Sequence, residues 1–182
     1  MVDGASDKLD TLGNAQLKSG IFELNGHVKT GCLALIVMTD RKTGFQLMLE
    51  NVDYTLVSDE NGNVKIEGGR AQSLFLQFDE INRSMAEKRQ VTEKAANSVQ
   101  SQEQMISLQN SYNSFIKKAV GKQLDLMRVN GDCFVSAYIL AGMMQNAPLE
   151  ILKELYEKFS DGVKNGYYGC LIADQIGHLE KI

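Results

Sequence analysis

Cysteine and histidine are the side chains of this sequence with the greatest capacity for nucleophilic, redox or metal chemistry. The 182 residues contain three cysteines, Cys32, Cys133 and Cys170, and two histidines. No C-x-x-C spacing occurs, so the sequence has neither the redox pair of a thioredoxin nor half of a zinc site. An odd number of widely separated cysteines is more typical of small buried apolar side chains than of a disulfide framework.

Cys133 is the one cysteine with a physical route to a reactive thiolate. It follows Asp132, which can cap a helix, and the dipole of a helix N-terminus lowers the pKa of a thiol. A catalytic thiol also needs a base. His178 follows Cys170 on a predicted helix, about 80° around and about 12 Å along, which is too far for a pair. His27 could reach a cysteine only through tertiary contacts, so a cysteine-dependent enzyme is the least favoured hypothesis.

Two short motifs superficially match ligand-binding loops. Asp59, Asn61 and Asn63 alternate like the oxygen ligands of a calcium loop, but its glycine and glutamate are not at the sixth and twelfth positions. A hairpin turn is the better interpretation. The dipeptide Gly68-Gly69 could expose helix N–H groups to an anion, but the rest of a phosphate-binding glycine motif is missing, so a chain reversal is predicted. We therefore predict no catalytic residue, no metal site and no cofactor.

The composition is that of an ordinary folded domain. Hydrophobic residues make up 43% and charged residues 23% of the chain, with a formal net charge of −4. A chain of this length can fold without disulfides or metals. No segment concentrates the positive charge that a phosphate backbone requires, so a nucleic-acid partner is not expected. No signal peptide and no apolar stretch of about 20 residues is present, so we expect no membrane span.

Residues 1–69 predict an antiparallel β subdomain. Residues 17–28 are expected to form a strand pair, or one strand with a turn, because strand formers are bracketed by turn residues. The continuous apolar run at 33–39 predicts a central strand buried on both faces. Short connections between consecutive strands imply an antiparallel meander. The other predicted features are strands at 45–50, 52–58 and 64–67, a loop at 40–44 and a strong turn at 59–62.

Residues 70–182 predict a helical subdomain that packs with the first as one unit. Two helix-periodic stripes flank a polar stretch at 90–104, which indicates a long antiparallel helical hairpin with a polar tip or outward extension. Three more helices are expected, capped by Asp132 or begun near Pro148 and Tyr167. The predicted buried stripes are Leu74, Phe78, Ile81 and Met85; Met105, Leu108, Tyr112, Phe115 and Ala119; Val135, Tyr138, Ile139 and Met143; Leu149, Leu152, Leu155, Tyr156 and Phe159; and Leu171, Ile172, Ile176 and Leu179.

Methionines concentrate in the helical half and have two interpretations. They can fill irregular gaps between helices, which is the favoured reading, or form an adaptable binding face. They are Met85, Met105, Met127, Met143 and Met144.

The order of the motifs resembles that of a known family. It is similar to the domain of unknown function that precedes a thioredoxin-like domain in cell-envelope thiol-disulfide oxidoreductases of Gram-negative anaerobes. The resemblance covers most of residues 12–182 and implies a small antiparallel β-sandwich followed by helices. It also implies export to the periplasm or cell envelope, often as a lipoprotein, with the redox-active C-x-x-C in the following domain. The matching segments are 17–26 (LKSGIFELNG), 45–51 (FQLMLEN), 54–56 (YTL), 64–69 (VKIEGG), Phe78 and 136–140 (SAYIL).

The sequence departs from the family pattern at both ends. It has no signal peptide or lipobox cysteine, it lacks the first strand of the family, and it stops at Ile182, where the thioredoxin-like domain would begin. No family catalytic residue falls within these positions. We therefore expect an α+β, non-catalytic accessory domain, either an N-terminal piece or a product lacking the catalytic half. Its expected partners are a thioredoxin-like domain in cis and envelope proteins. The alternative hypothesis is a carrier of small or lipid-type ligands, with a cleft between sheet and helices.

Overall fold

The computed structural model of the chain describes residues 11–38, 43–59, 61 and 63–181. Within these residues, four strands are followed by six helices, so the fold is mixed α and β in the predicted order. The strands are β1 (Cys32–Met38), β2 (Thr43–Leu49), β3 (Thr55–Ser58) and β4 (Val64–Glu67). The helices are α1 (Arg70–Ala96), α2 (Gln102–Val129), α3 (Phe134–Met143), α4 (Leu149–Lys158), α5 (Asp161–Lys164) and α6 (Tyr167–Leu179).

The strands form two separate antiparallel hairpins, so the predicted continuous meander is wrong. β1 pairs with β2, and β3 pairs with β4, but β2 and β3 are not neighbours in a sheet. At Met48, the position of β2 nearest the core, side chains already occupy the outer edge of the strand. The backbone of Met48 on that edge is hydrogen-bonded by Gln72 and Tyr54. The described strands therefore do not close into a sandwich.

The strand pair predicted at residues 17–28 is also wrong. Lys18 and Ile21 exchange backbone hydrogen bonds of 2.8 and 3.0 Å across the turn Ser19-Gly20, and no longer ladder forms. Val28 is the only buried residue of the segment. A strand needs a partner edge and a core to receive its apolar face, and among the described residues this segment has only the bridge between Lys18 and Ile21 and the burial of Val28.

β1 is an edge strand, whereas the sequence predicts a central one. Within the described residues its single strand neighbour is β2, and the side chains of Leu35 and Val37 are 51% and 56% exposed. Opposite them lie Gln46 and Gly44, which offer little apolar cover. Thr39, residues 40–42 of the predicted loop, and Glu60 and Gly62 of the predicted turn lie outside the described residues.

α1 and α2 form the predicted antiparallel hairpin, and its polar stretch is an outward extension of both helices. Each helix is about 40 Å long. Full burial is confined to the base of the hairpin, and no side chain from Asp79 to Lys118 is fully buried. Ile81, Met85 and Phe115 of the predicted stripes are half-buried. The buried residues are Ala71, Gln72, Leu74 and Phe78 on α1, and Ala119, Gln123 and Met127 on α2.

α3 is the central helix of the core and is in contact with α1, α2 and α6. The predicted one-sided stripe is therefore only partly right. Val135 is fully buried, but Tyr138, Ile139 and Met143 are half-buried, while Ser136, Ala137 and Leu140 are fully buried. A helix surrounded by neighbours has no single buried face.

The remaining helices follow the sequence more closely. In α4, Leu152 and Leu155 are fully buried, and Phe159 is buried just past the helix end. α6 begins at Tyr167 as predicted and buries Ile172. The sequence reading missed the single turn of α5, in which Ser160 accepts a hydrogen bond from the Val163 N–H.

Gly68 connects the β region to α1 and cannot carry a side chain. Its φ is +109°, and a Cβ there would lie 2.2 Å from the carbonyl oxygen of Asp53. We expect Gly68→Ala to lower the free energy of unfolding by about 2 kcal/mol or more, measured by urea denaturation. Gly121→Ala is the matched control, since its Cβ meets open space within α2, and we expect about 0.5–1 kcal/mol of stabilisation. Equal effects of the two substitutions would contradict this account of the connection.

Candidate functional site

Cys133 lies at the N-cap of α3, but burial outweighs the helix dipole. The residue is only 5% exposed, and this desolvation raises the pKa of the thiol, partly offset by a hydrogen bond from the backbone of Val135. The helix terminus therefore does not activate the Cys133 thiol, and the favoured interpretation of a buried apolar side chain is confirmed for Cys133. Asp132 does not cap the helix either, because its carboxylate accepts two hydrogen bonds of 2.6 and 2.7 Å from Arg70.

The other cysteines and the histidines do not complete a nucleophilic site with Cys133. Cys32 is half-buried at the start of β1, and burial raises the pKa of its thiol. Cys170 is exposed on α6, with its sulfur 3.9 Å from the carbonyl oxygen of Lys164. His27 and His178 are exposed, and neither is hydrogen-bonded to Cys133 or Cys170. None of the three cysteines is in a disulfide.

The Asp59 motif is a hairpin turn. The carboxylate of Asp59 accepts hydrogen bonds from the backbone N–H groups of Asn61 and Asn63 at 2.9 and 2.8 Å, and from the side chain of Asn63 at 2.8 Å. Both carboxylate oxygens therefore bind N–H groups of their own loop. Among the described residues, no cluster of histidine, cysteine and acidic side chains is arranged to hold a metal.

The N-terminus of α1 is occupied by a carboxylate of the chain itself. Gly68 and Gly69 both have positive φ and reverse the chain, as predicted. The first free N–H groups of a helix favour an anion. Here the Ala71 N–H donates to Glu50 Oε2 at 2.7 Å, so Glu50 takes the place that a bound phosphate would have.

Polar groups join β2 to the helices at a buried junction that the sequence did not reveal. The N–H of Met48 donates to Gln72 Oε1 at 2.9 Å, inside the core. The Tyr54 hydroxyl donates to the carbonyl of Met48 and accepts from the N–H of Glu50, both at 2.9 Å. Partial burial raises the pKa of Tyr54, so its hydroxyl keeps the proton that it donates. We interpret this junction as structural, because each group is bonded to the chain.

α2 carries an apolar groove, which we call the α2 stripe: Tyr112, Ile116, Val120 and Leu124, all half-buried, with Leu124 also packed against the core. The groove has a volume of about 480 Å³. The period of four residues places the stripe along one side of the helix. A neighbouring side of α2 faces α1. On that side, the side-chain amide of Gln123 donates a hydrogen bond of 2.8 Å to Asn82 of α1. Tyr112, predicted for the buried stripe of α2, is half-buried, and the recurrence every four residues that defines the groove does not follow from that prediction.

Positive charge accompanies the α2 stripe. Lys117 lines the groove, and Lys118 and Lys122 follow on the same helix. Across the part of the chain that the structure describes, none of these three lysines has an acidic group within ion-pair distance. By contrast, Arg128 on the same helix is paired with Asp125 and Glu154. Lys117 therefore places a cation beside the stripe that no ion pair among the described residues neutralises, whereas Lys118 and Lys122 lie on the opposite side of α2.

A second groove, of about 530 Å³, lies between α4 and α6. An ion pair between Lys153 and Glu180 joins the two helices there. The space that the carrier hypothesis would use, between sheet and helices, contains the fully buried side chains of Met48 and Phe78, which belong to one hydrophobic cluster.

Comparisons with protein-family models, with curated proteins and with solved structures find no match to this chain. Among the helices that the structure describes, none combines the length and apolar character needed to cross a bilayer.

The cysteine environments predict unequal thiol reactivity. In a Cys32→Ser/Cys170→Ser variant, we expect the alkylation rate of Cys133 to be slow at neutral pH and still rising above about pH 8.5, because burial raises its pKa above the ordinary thiol value. The same variant in urea is the control and should level off in the ordinary range. A native-state rate that levels off below pH 8 would instead indicate an activated thiol.

Proposed function

We propose that this chain is a non-catalytic docking module of a cell-envelope thiol-disulfide oxidoreductase, which holds a thioredoxin-like domain against the α2 stripe. The observation that carries the proposal is the apolar groove of Tyr112, Ile116, Val120 and Leu124 on α2. The identity of the partner and the periplasmic or envelope location come from the family resemblance. The proposal includes the small β-sandwich that this family implies, with the two hairpins as its pieces.

The shape of the hairpin supports docking. From Tyr112 to Leu124 the stripe runs about 18 Å along α2, which matches a short apolar contact of the helix-in-groove kind. Such a contact is smaller than a standard stable interface and would be weak between free proteins. It suits a partner in the same polypeptide, because a tether raises the effective concentration to about millimolar.

The charges beside the stripe define the partner surface further. Lys117, which lines the groove, would attract carboxylates and disfavour a basic surface. It also disfavours antiparallel pairing of two α2 stripes, since the Lys117 flanks of two copies would then face each other. The proposed occupant is therefore a face of the thioredoxin-like domain with an apolar patch edged by acidic residues.

The gene gives the simplest test of this assignment. We expect the reading frame to continue past Ile182 into a thioredoxin-like domain with a C-x-x-C motif. Sequencing the gene measures this directly. A stop codon immediately after Ile182 would remove the partner in cis and contradict the proposal.

Substitution of the stripe tests the docking surface itself. With the downstream domain produced separately, we expect Ile116→Glu and Val120→Glu each to weaken its binding to this chain at least 10-fold, about 1.4 kcal/mol, by titration calorimetry or NMR. The reason is that a carboxylate would replace an apolar contact. Val91→Glu on α1 is the matched control, since Val91 is 61% exposed outside the stripe, and should bind like the unsubstituted chain.

Reversing the charge of Lys117 tests whether electrostatic attraction contributes to docking, separately from the apolar contact. We expect Lys117→Glu to weaken binding and to reduce its dependence on salt, because an attraction between opposite charges is screened. Circular dichroism must show that each variant is folded. Unchanged affinity for both folded stripe variants would refute the α2 stripe as the docking surface.

A further inference from the structure

The two outer edges of the β1–β2 hairpin are not equivalent. On β2, both backbone groups of Met48 are used outside the sheet, by Gln72 and Tyr54. On β1, no hydrogen bond from within the described part of the chain reaches the outer backbone groups of Leu33, Leu35 or Val37. An edge of this kind is a template for another strand.

The register identifies which groups point outward from β1. Leu33 lies opposite Met48, and Met48 directs its N–H and C=O away from β1. This position is therefore a non-hydrogen-bonded pair, and such pairs alternate along an antiparallel ladder. Leu35 and Val37, at steps of two residues, share its geometry. The N–H and C=O groups of Leu33, Leu35 and Val37 accordingly form the free edge.

The side chains of this edge lack the usual protection against pairing. Natural edge strands carry charges, proline or bulges. β1 reads Cys-Leu-Ala-Leu-Ile-Val-Met, without a charge or a proline, and its ladder with β2 is continuous. Leu35 and Val37 are half exposed on the same face of the sheet. Both the backbone and the side chains of β1 are thus suited to another apolar strand.

We propose that β1 pairs with β1 of a second copy of this chain, antiparallel about Leu35. Leu35 of one copy then lies beside Leu35 of the other, and Leu33 lies beside Val37. Their outward backbone groups can form about six hydrogen bonds across the two-fold axis. The strands would be ordered β2-β1-β1-β2 in one four-stranded sheet.

The sequence of β1 favours a second copy as the occupant. A two-fold axis at Leu35 places position 33 of one copy beside position 37 of the other. Both positions are apolar, so each copy offers the other an apolar side chain at every paired position. No like charges meet, since the strand has none. Two seven-residue strands bury little area, so we expect a dimer with a dissociation constant of about 10–100 µM.

Sedimentation equilibrium from about 5 to 500 µM tests the proposal. The mass of the unsubstituted chain should rise from 20.2 kDa towards twice that value. Val37→Lys should weaken dimerisation at least 10-fold, because it adds a cation to each side of the edge. Val57→Lys is the matched control, since Val57 is also 56% exposed on a strand, β3, and its variant should dimerise normally.

Amide hydrogen exchange of the unsubstituted chain gives a second readout that needs no folded variant. The amides of Leu33, Leu35 and Val37 should exchange more slowly as concentration rises, while that of Val57 should not change. A mass that stays at 20.2 kDa throughout would overturn the proposal. So would equal weakening by both lysine variants, or protection of these three amides that is independent of concentration.

Discussion

The hydrogen bond between the Met48 N–H and the side chain of Gln72 is the contact on which the arrangement of the two halves depends. It joins the outer edge of β2 to the first turn of α1, where an unpaired N–H would cost about 1–3 kcal/mol. Glu50, two residues after Met48, caps the same helix through Ala71. Met48 itself is fully buried in the cluster that contains Phe78 and Leu140. The direction in which α1 leaves the core is therefore set at this junction.

As a result, the two ends of the α1–α2 hairpin differ in burial. Near the junction, α1 and α2 bury apolar residues against α3, whereas farther out they bury none fully. Packing against the core contributes little to the outer half, whose side chains are not fully buried. The docking proposed for the α2 stripe gives this part of the hairpin a purpose. The outer edge of β1 is a separate surface on a different element. It would bind another strand through backbone hydrogen bonds and not through charged side chains.

The sequence predicted the helices well because their signals are local. The stripe of Leu74 and Phe78, the polar stretch between the long helices and the start near Tyr167 all depend on spacing within one element. The strands were harder, because pairing is decided by distant residues. Nothing near residue 17 shows that the segment 17–28 will lack a partner edge. Nothing near Phe45 shows that Gln72 and Tyr54 will take the edge that β3 was expected to use.

The candidate sites divide in the same way. The turn at Asp59 was predictable, since its hydrogen bonds lie within five residues. The burial of Cys133 was also the favoured prediction. What the sequence could not decide is whether the helix terminus still lowers the pKa of this thiol, because that depends on the core residues that cover it and raise the pKa. The α2 stripe can be recognised in the sequence as apolar residues spaced four apart. The helical periodicity gives α2 one apolar stripe, so this second set of apolar residues was not predicted. Packing on more than one side of a helix is a tertiary property.

Native-state hydrogen exchange at the Met48 amide tests the central claim most directly, namely that the β1–β2 hairpin and the helices are one cooperative body joined at this contact. At a fixed low protein concentration, the Met48 amide should open with the same free energy as the amide of Leu140 in α3, because both would be released only by global unfolding. If Met48 exchanges through a much smaller opening free energy while Leu140 stays protected, the hairpin is a loosely attached unit and the account is contradicted.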